Sequence, residues 1–142
     1  MEETTLVITE AGKKDLLTTA KWSKFYAVLS FIGVGILVLM GILLLVSGHF
    51  MAQLEPELSV AMLAPLGLVY IVMGGVLVMP SLYLWQFSQK AEQAIANTNT
   101  EMMEKALNQM KSYWKFIGIF TIVMLAVSLL MVPVAVIGSF LL

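Results

Sequence analysis

Long apolar runs alternate with shorter polar segments along the chain. No Asp, Glu, Lys or Arg occurs between Phe25 and Gly48, between Val60 and Leu84, or after Lys115. Each run has at least 24 residues, which at about 1.5 Å per helical residue can cross a hydrocarbon core of about 30 Å. The pattern predicts an all-α integral membrane protein with three spanning helices.

The segment between the second and third runs also has helical periodicity. From Ala91 to Tyr113, apolar residues recur at intervals of three and four, which places them on one helix face. A polar Asn-Thr-Asn-Thr run interrupts the pattern at 97–100, and Thr98 with Glu101 has the spacing of a capping box. Spans two and three are therefore predicted to extend beyond the membrane as a cytoplasmic helical hairpin.

These patterns divide the chain into six predicted segments. They are an N-terminal cytoplasmic segment with a short amphipathic helix (1–23), span one (24–48), an outer loop (49–59), span two (60–85), the cytoplasmic helical hairpin (86–115) and span three (116–142).

The basic residues predict the orientation of these spans. All eight are lysines, and all lie before span one or between spans two and three. The positive-inside rule places both segments in the cytoplasm and the C-terminus at the outer face. Trp22, Trp85 and Trp114 fall at the same predicted boundary, where amphipathic rings favour the headgroup layer. The net charge of −1 argues against nucleic acid as a partner.

The N-terminal segment has two open interpretations. Its amphipathic piece around Leu16, Leu17 and Ala20 is predicted to lie either on the inner leaflet or against the hairpin. A cleaved signal peptide is not expected, because the polar lead before Phe25 is long and no small-residue cleavage site follows Val46.

Small residues and hydroxyls are predicted to form the helix-packing faces, because close contact in lipid relies on them. On span one these are Ala27, Ser30, Gly33 and Gly41; on span two Ala64, Gly67, Gly74 and Gly75; on span three Gly118, Thr121, Ser128 and Ala135.

A second apolar surface is predicted on the hairpin. Its residues are rich in methionine, a side chain that adapts readily to partners. We expect this surface to be the partner interface, and it comprises Met102, Met103, Ala106, Leu107 and Met110.

The remaining chemistry is sparse. His49 with Glu55 and Glu57 is a weak candidate for a divalent cation or a pH sensor. Pro133 predicts a kink in span three, which acts either as a gate or only as a bend. There is no cysteine, no nucleophile beside a base and no glycine-rich phosphate loop. Neither a catalytic site nor a bound metal or cofactor is expected.

Three short stretches carry a family resemblance: Lys24-Phe25, Tyr83-Leu84 through Phe87-Ser88, and Ala106-Leu107 through Lys111-Ser112-Tyr113-Trp114-Lys115-Phe116. From about Leu16 onward, the chain resembles a bacterial family of small membrane proteins known only as a domain of unknown function. The resemblance implies a bacterial inner-membrane location and no particular activity.

The sequence thus favours a non-enzymatic accessory, scaffold or self-assembling membrane subunit. Its expected partners are membrane lipid and either further copies of itself or a larger membrane complex. The alternative is a homo-oligomeric channel or pore-forming subunit, with Thr121 and Ser128 lining the conduit near Pro133.

Overall fold

The computed structural model describes residues 6–54 and 56–141, with side chains for all of these except 56–61. The chain forms three long helices: α1 (Glu10–Ala52), α2 (Pro56–Asn97) and α3 (Thr100–Leu141). Each helix is about 65 Å long at about 1.5 Å per residue and contains a stretch long and apolar enough to cross a membrane. The predicted all-α, three-helix architecture is confirmed.

Two names are useful for the molecule's two ends. The polar half comprises residues 10–24 of α1, 85–97 of α2 and 100–115 of α3. The apolar half comprises residues 25–52, 62–84 and 116–141. Each helix runs without a break from one half into the other.

Helix α1 begins earlier than the pattern of span one requires. The Thr9 side chain caps it by accepting a hydrogen bond from the Gly12 N–H at 3.2 Å, and Glu10 pairs with Lys13 in the first turn. The predicted short N-terminal helix is therefore the first part of one continuous helix. Residues 1–5 of that segment lie outside the described part.

The connections between helices are short. After α1, the Gln53 and Leu54 N–H groups donate to the carbonyls of Phe50 and Met51. Helical structure also covers 49–52 and 56–59 of the predicted outer loop, because the backbone there continues the helical hydrogen-bonding pattern of both spans. Glu55 lies outside the described residues.

The turn between α2 and α3 corrects the predicted capping box. Thr98 has a φ of 50°, the left-handed conformation that commonly follows a helix C-terminus. The next residue, Asn99, donates its N–H to the Ala94 carbonyl at 3.0 Å. The Asn99 Oδ1 then accepts from the N–H groups of Glu101 and Met102. Asn99, not Thr98, caps α3, because Thr98 is used to reverse the chain.

Helix α2 lies at the centre of the fold. It packs against both α1 and α3, whereas within the described ranges α1 and α3 have no Cα pair within 8 Å. Pro65, Pro80 and Pro133 all lie inside helices that continue past them. All interhelical backbone contact therefore involves α2.

Candidate functional site

The contact between α1 and α2 is a seam of small residues at seven-residue spacing. On α1 the buried members are Ala20, Ala27, Gly41 and Gly48. On α2 they are Gly67, Gly74, Ser81 and Ser88. Seven-residue spacing keeps one helix stripe facing its partner over a long distance. The seam therefore runs from the polar half through the apolar half.

The two backbones come closest at Gly41 and Gly67. A Cβ atom added to Gly41 would lie 2.6 Å from Ile71 Cγ1 and 2.8 Å from the Gly67 carbonyl oxygen. A Cβ added to Gly67 would lie 2.8 Å from the Gly41 carbonyl oxygen, and one at Gly74 would lie 2.7 Å from Val38 Cγ2. Only glycine permits this approach, which is the close packing that membrane helices use.

The structure divides the predicted helix-packing residues into two groups. Ala27, Gly41, Gly67 and Gly74 lie in the seam, and Ser30 and Ala64 lie half-buried. The others lie away from this contact: among the described residues, a Cβ at Gly33, Gly75 or Gly118 would meet nothing within 4 Å, and Thr121, Ser128 and Ala135 are exposed.

The reason for this division is geometric. A sector of about a third of the helix circumference is wider than the line along which two helices touch. The sequence pattern that follows the line of contact is the seven-residue repeat of small residues. This repeat includes Ala20, Gly48, Ser81 and Ser88. Our sequence analysis did not assign these four positions to a helix-packing face.

The polar half has a different kind of core. Phe87 and Ala91 of α2 form a buried cluster with Ala20 of α1 and Ala106 of α3. The Phe87 ring, 2% exposed, is among the largest buried side chains in the described part of the chain. The sequence left two positions open for the N-terminal helical piece, on the inner leaflet or against the hairpin. The structure places it against the hairpin.

The predicted partner interface is divided by this core. Ala106 is fully buried, and Met103 and Met110 pack against the cluster within the same chain. Met102 is half-buried, whereas Leu107 is 52% exposed. The methionine stripe thus mainly joins α3 to α2, leaving Leu107 as its accessible part.

A charged side chain also links α1 to α2 at the junction of the two halves. Lys24 Nζ lies 4.0 Å from Glu92 Oε2 and 5.5 Å from the centroid of the Trp85 ring. Both distances allow attraction, by charge and by the ring quadrupole respectively. This contact fixes the facing surfaces of the two helices where they enter the polar half.

An open groove separates α1 from α3, with α2 as its floor. Its upper part, in the polar half, measures about 550 Å³, and Trp22 of α1 and Trp114 of α3 stand on its two sides. Its lower part, in the apolar half, measures about 470 Å³ and follows Gly33 of α1 and Pro80 of α2.

Two tyrosines mark the place where the parts of the groove meet. Tyr26 of α1 and Tyr113 of α3 line both parts, together with Leu84 of α2. Burial, and secondarily the nearby Tyr26, raise the pKa of Tyr113 above its ordinary value. The two phenol groups therefore lie close together at this level.

Helix α3 loses its contacts beyond the groove. Every residue from 121 to 137 is exposed, including Leu129 at 73%. The Ser128 hydroxyl donates to the Met124 carbonyl at 2.8 Å, so its hydrogen bond is made within the helix. The apolar half thus consists of a packed pair, α1 and α2, and a third helix that is exposed from 121 to 137 in the described part of the chain.

Candidate metal ligands are not clustered. Across residues 6–54 and 56–141, no group of three or more His, Asp or Glu side chains is placed to hold a metal ion. His49 lies in the last turn of α1. Glu55 is outside the described residues and the Glu57 side chain is not described, so the predicted cation site falls largely outside the described part.

Comparison with known proteins gives one match. No curated protein and no solved structure matches the chain. One sequence family does, and its match spans residues 58–136, more than half of the chain, covering most of α2 and α3 and the turn between them. This agrees with the family resemblance seen in the sequence. The chain therefore belongs to DUF5362, a family of unknown function.

Proposed function

We propose that the protein is a non-enzymatic, multi-pass subunit of the bacterial inner membrane that acts by assembling with further copies of itself. The observation that carries this proposal is the exposed stretch of α3 from 121 to 137. Helices α1 and α2 use Gly41, Gly67 and Gly74 against each other, whereas Gly118, Thr121, Ser128 and Ala135 of α3 are exposed within the described part of the chain. Helix α3 is therefore the element offered to another membrane helix.

The surface of α3 suits such an association. At about 100° per residue, Gly118, Thr121, Ser128 and Ala135 fall on one side of the helix. Small residues allow backbones to approach closely in lipid, where burying leucine against leucine gains little over contact with acyl chains. We propose that this side of α3 meets α3 of a second copy.

The assembly test uses single cysteines, because the chain has none. Ser128→Cys places a thiol on the proposed face, and Leu130→Cys places one on the opposite side of the same helix, where Leu130 is 69% exposed. We expect a short bismaleimide to cross-link Ser128→Cys copies in native membranes. Leu130→Cys copies should remain uncross-linked.

The outcomes separate three possibilities. Equal cross-linking of both variants, or of neither, would contradict the proposed face. A stoichiometric adduct with another protein would favour an accessory role in a larger complex. A closed ring with a polar lumen would favour the pore alternative, although the Ser128 hydroxyl has a partner within its own helix and needs no water-filled conduit.

The proposed orientation places the polar half in the cytoplasm. It is supported by the lysines, all eight of which lie in segments 13–24 and 90–115. We expect a Gln53→Cys variant to react with an impermeant maleimide in spheroplasts. An Asn99→Cys variant should react only after permeabilisation, and labelling of both in intact spheroplasts would contradict this topology.

A further inference from the structure

The groove between α1 and α3 crosses from the polar half into the apolar half. Its upper part is lined by Thr18, Thr19 and Ser23 beside the indole rings, and the Thr18 and Thr19 hydroxyls donate to carbonyls of their own helix. Its lower part is lined by aliphatic groups such as Leu37 and Leu77. Both parts therefore present a mainly apolar surface.

The indole rings place the upper part of the groove at the edge of the bilayer. Trp22 and Trp114 are 68% and 63% exposed and stand on opposite sides of the groove. Tryptophan favours the headgroup level of a membrane. The upper groove therefore lies among headgroups, and the lower groove lies beside the acyl chains.

The charges around the upper groove are mainly positive. Within about one helical turn of its lining residues on α1 and α3 lie five lysines and one carboxylate, Asp15. One of the lysines, Lys24, is next to Glu92. The other four are Lys14, Lys21, Lys111 and Lys115.

We propose that this groove binds one anionic phospholipid, with its headgroup beside the lysines at the upper part and an acyl chain along the lower part. The lysines around the upper part complement a phosphate, and the apolar lining of the lower part suits an acyl chain. Basic pockets between membrane helices are known to hold anionic headgroups. On α3 this site uses residues 110–117, which precede the stretch 121–135 of the face proposed above for assembly.

A second copy is a poorer occupant of the groove. In a parallel arrangement its own lysines would arrive at the same depth as Lys21 and Lys111, because depth is set by the same residues in every copy. Like charges would then meet, which is unfavourable at short range. A phosphate headgroup would instead complement them.

The test fills the lower groove with a side chain. Gly33 lines it, and an added Cβ there would meet nothing within 4 Å, so Gly33→Leu extends into open space. Gly35→Leu is the matched control, because Gly35 has equally open surroundings on the same helix and does not line the groove. Proteins are reconstituted in nanodiscs of equal phosphatidylglycerol and phosphatidylcholine, and bound lipid is measured by native mass spectrometry.

We expect the wild type and Gly35→Leu to retain one phosphatidylglycerol. Gly33→Leu should reduce its retention about tenfold, the effect of displacing about two buried methylene groups. Equal retention by the two leucine variants would overturn the site. A change of oligomer size in Gly33→Leu without loss of lipid would also overturn it, in favour of a second copy as occupant.

A second variant tests the headgroup assignment and leaves the helix core untouched. Lys21→Gln combined with Lys111→Gln should abolish the preference for phosphatidylglycerol over phosphatidylcholine while a lipid stays bound. An unchanged preference would overturn the anionic assignment. Lipid retention is measured on each oligomer separately. The lipid site can therefore be refuted while the α3 cross-linking test succeeds, and the α3 contact can be refuted while lipid is retained.

Discussion

The two halves of the molecule are held together by different means. In the polar half, three helices share a core around the aromatic ring of Phe87. In the apolar half, two helices touch through glycine, and the third stands apart. Burial of a large apolar ring is favourable in water but gains little in lipid. In lipid, helix contacts are stabilised instead by the close approach of their backbones. The membrane position that we propose for the apolar half accounts for this change of packing.

The largest expected effect comes from emptying the core of the polar half. Phe87→Ala removes a buried ring that contacts both neighbouring helices and should lower the free energy of unfolding by about 3 kcal/mol. Unfolding in mixed dodecylmaltoside and SDS micelles measures this change. Phe140→Ala, at an 86% exposed position, is the control. Equal losses in the two variants would show that Phe87 has no special role.

The matching change in the apolar half is Gly41→Leu. Its Cβ alone would lie 2.6 Å from Ile71 Cγ1, so the two helices must separate, at a cost of roughly 2 kcal/mol. Gly35→Leu, on the same helix with no atom near its added Cβ, should unfold like the wild type. If both leucines were tolerated alike, the glycine seam would not hold the pair.

A smaller change in the opposite direction is expected at the turn that joins the helices of the polar half. Thr98 has a φ of 50°, which costs a non-glycine residue about 1 kcal/mol. Thr98→Gly should therefore raise the free energy of unfolding by about that amount in the same assay. Thr98→Ala retains the penalty, so a similar gain with alanine would exclude backbone strain as the cause.

The smallest expected effect belongs to the charged contact between α1 and α2 at the junction of the two halves. Lys24→Gln removes the attraction to Glu92 and to the Trp85 ring, yet both charged side chains are about a third or more exposed. We expect a loss of at most about 0.5 kcal/mol, which disappears at high salt. A larger loss that salt does not change would mean that the lysine stem, not its charge, stabilises the contact.

The helices themselves could be predicted from sequence because their signals are local. Apolar runs and three- and four-residue periodicity identify helices regardless of neighbours, and they correctly placed the break at 97–100. The choice between Thr98 and Asn99 as the cap was wrong. Both residues can accept from backbone N–H groups, and only the path of the chain decides which one reverses direction.

The helix contacts could be predicted only in part. Gly41 and Gly74 were placed on a packing face together with Gly33 and Gly75, since all four are small and share a sector of their helices. Which of them touches a neighbour depends on the rotation of two helices relative to each other. The sequence of one helix does not determine this rotation. The seven-residue repeat through Ala20, Ala27 and Gly41 only reduces the number of possible contact faces on α1.

The attachment of α3 has a mechanical consequence. Helix α1 packs against α2 at both ends of a long stretch, at Ala20 and at Gly41, which are about 30 Å apart along the helix. Helix α3 packs against α2 mainly through its residues in the polar half. The rest of α3, from Ile117 to its end, forms an arm of about 36 Å. A tilt of this arm by about 5° would move its C-terminal end sideways by about 3 Å. A sideways movement of this size would let the arm adjust its contact with the neighbouring helix that we propose, while α1 and α2 keep their own contact.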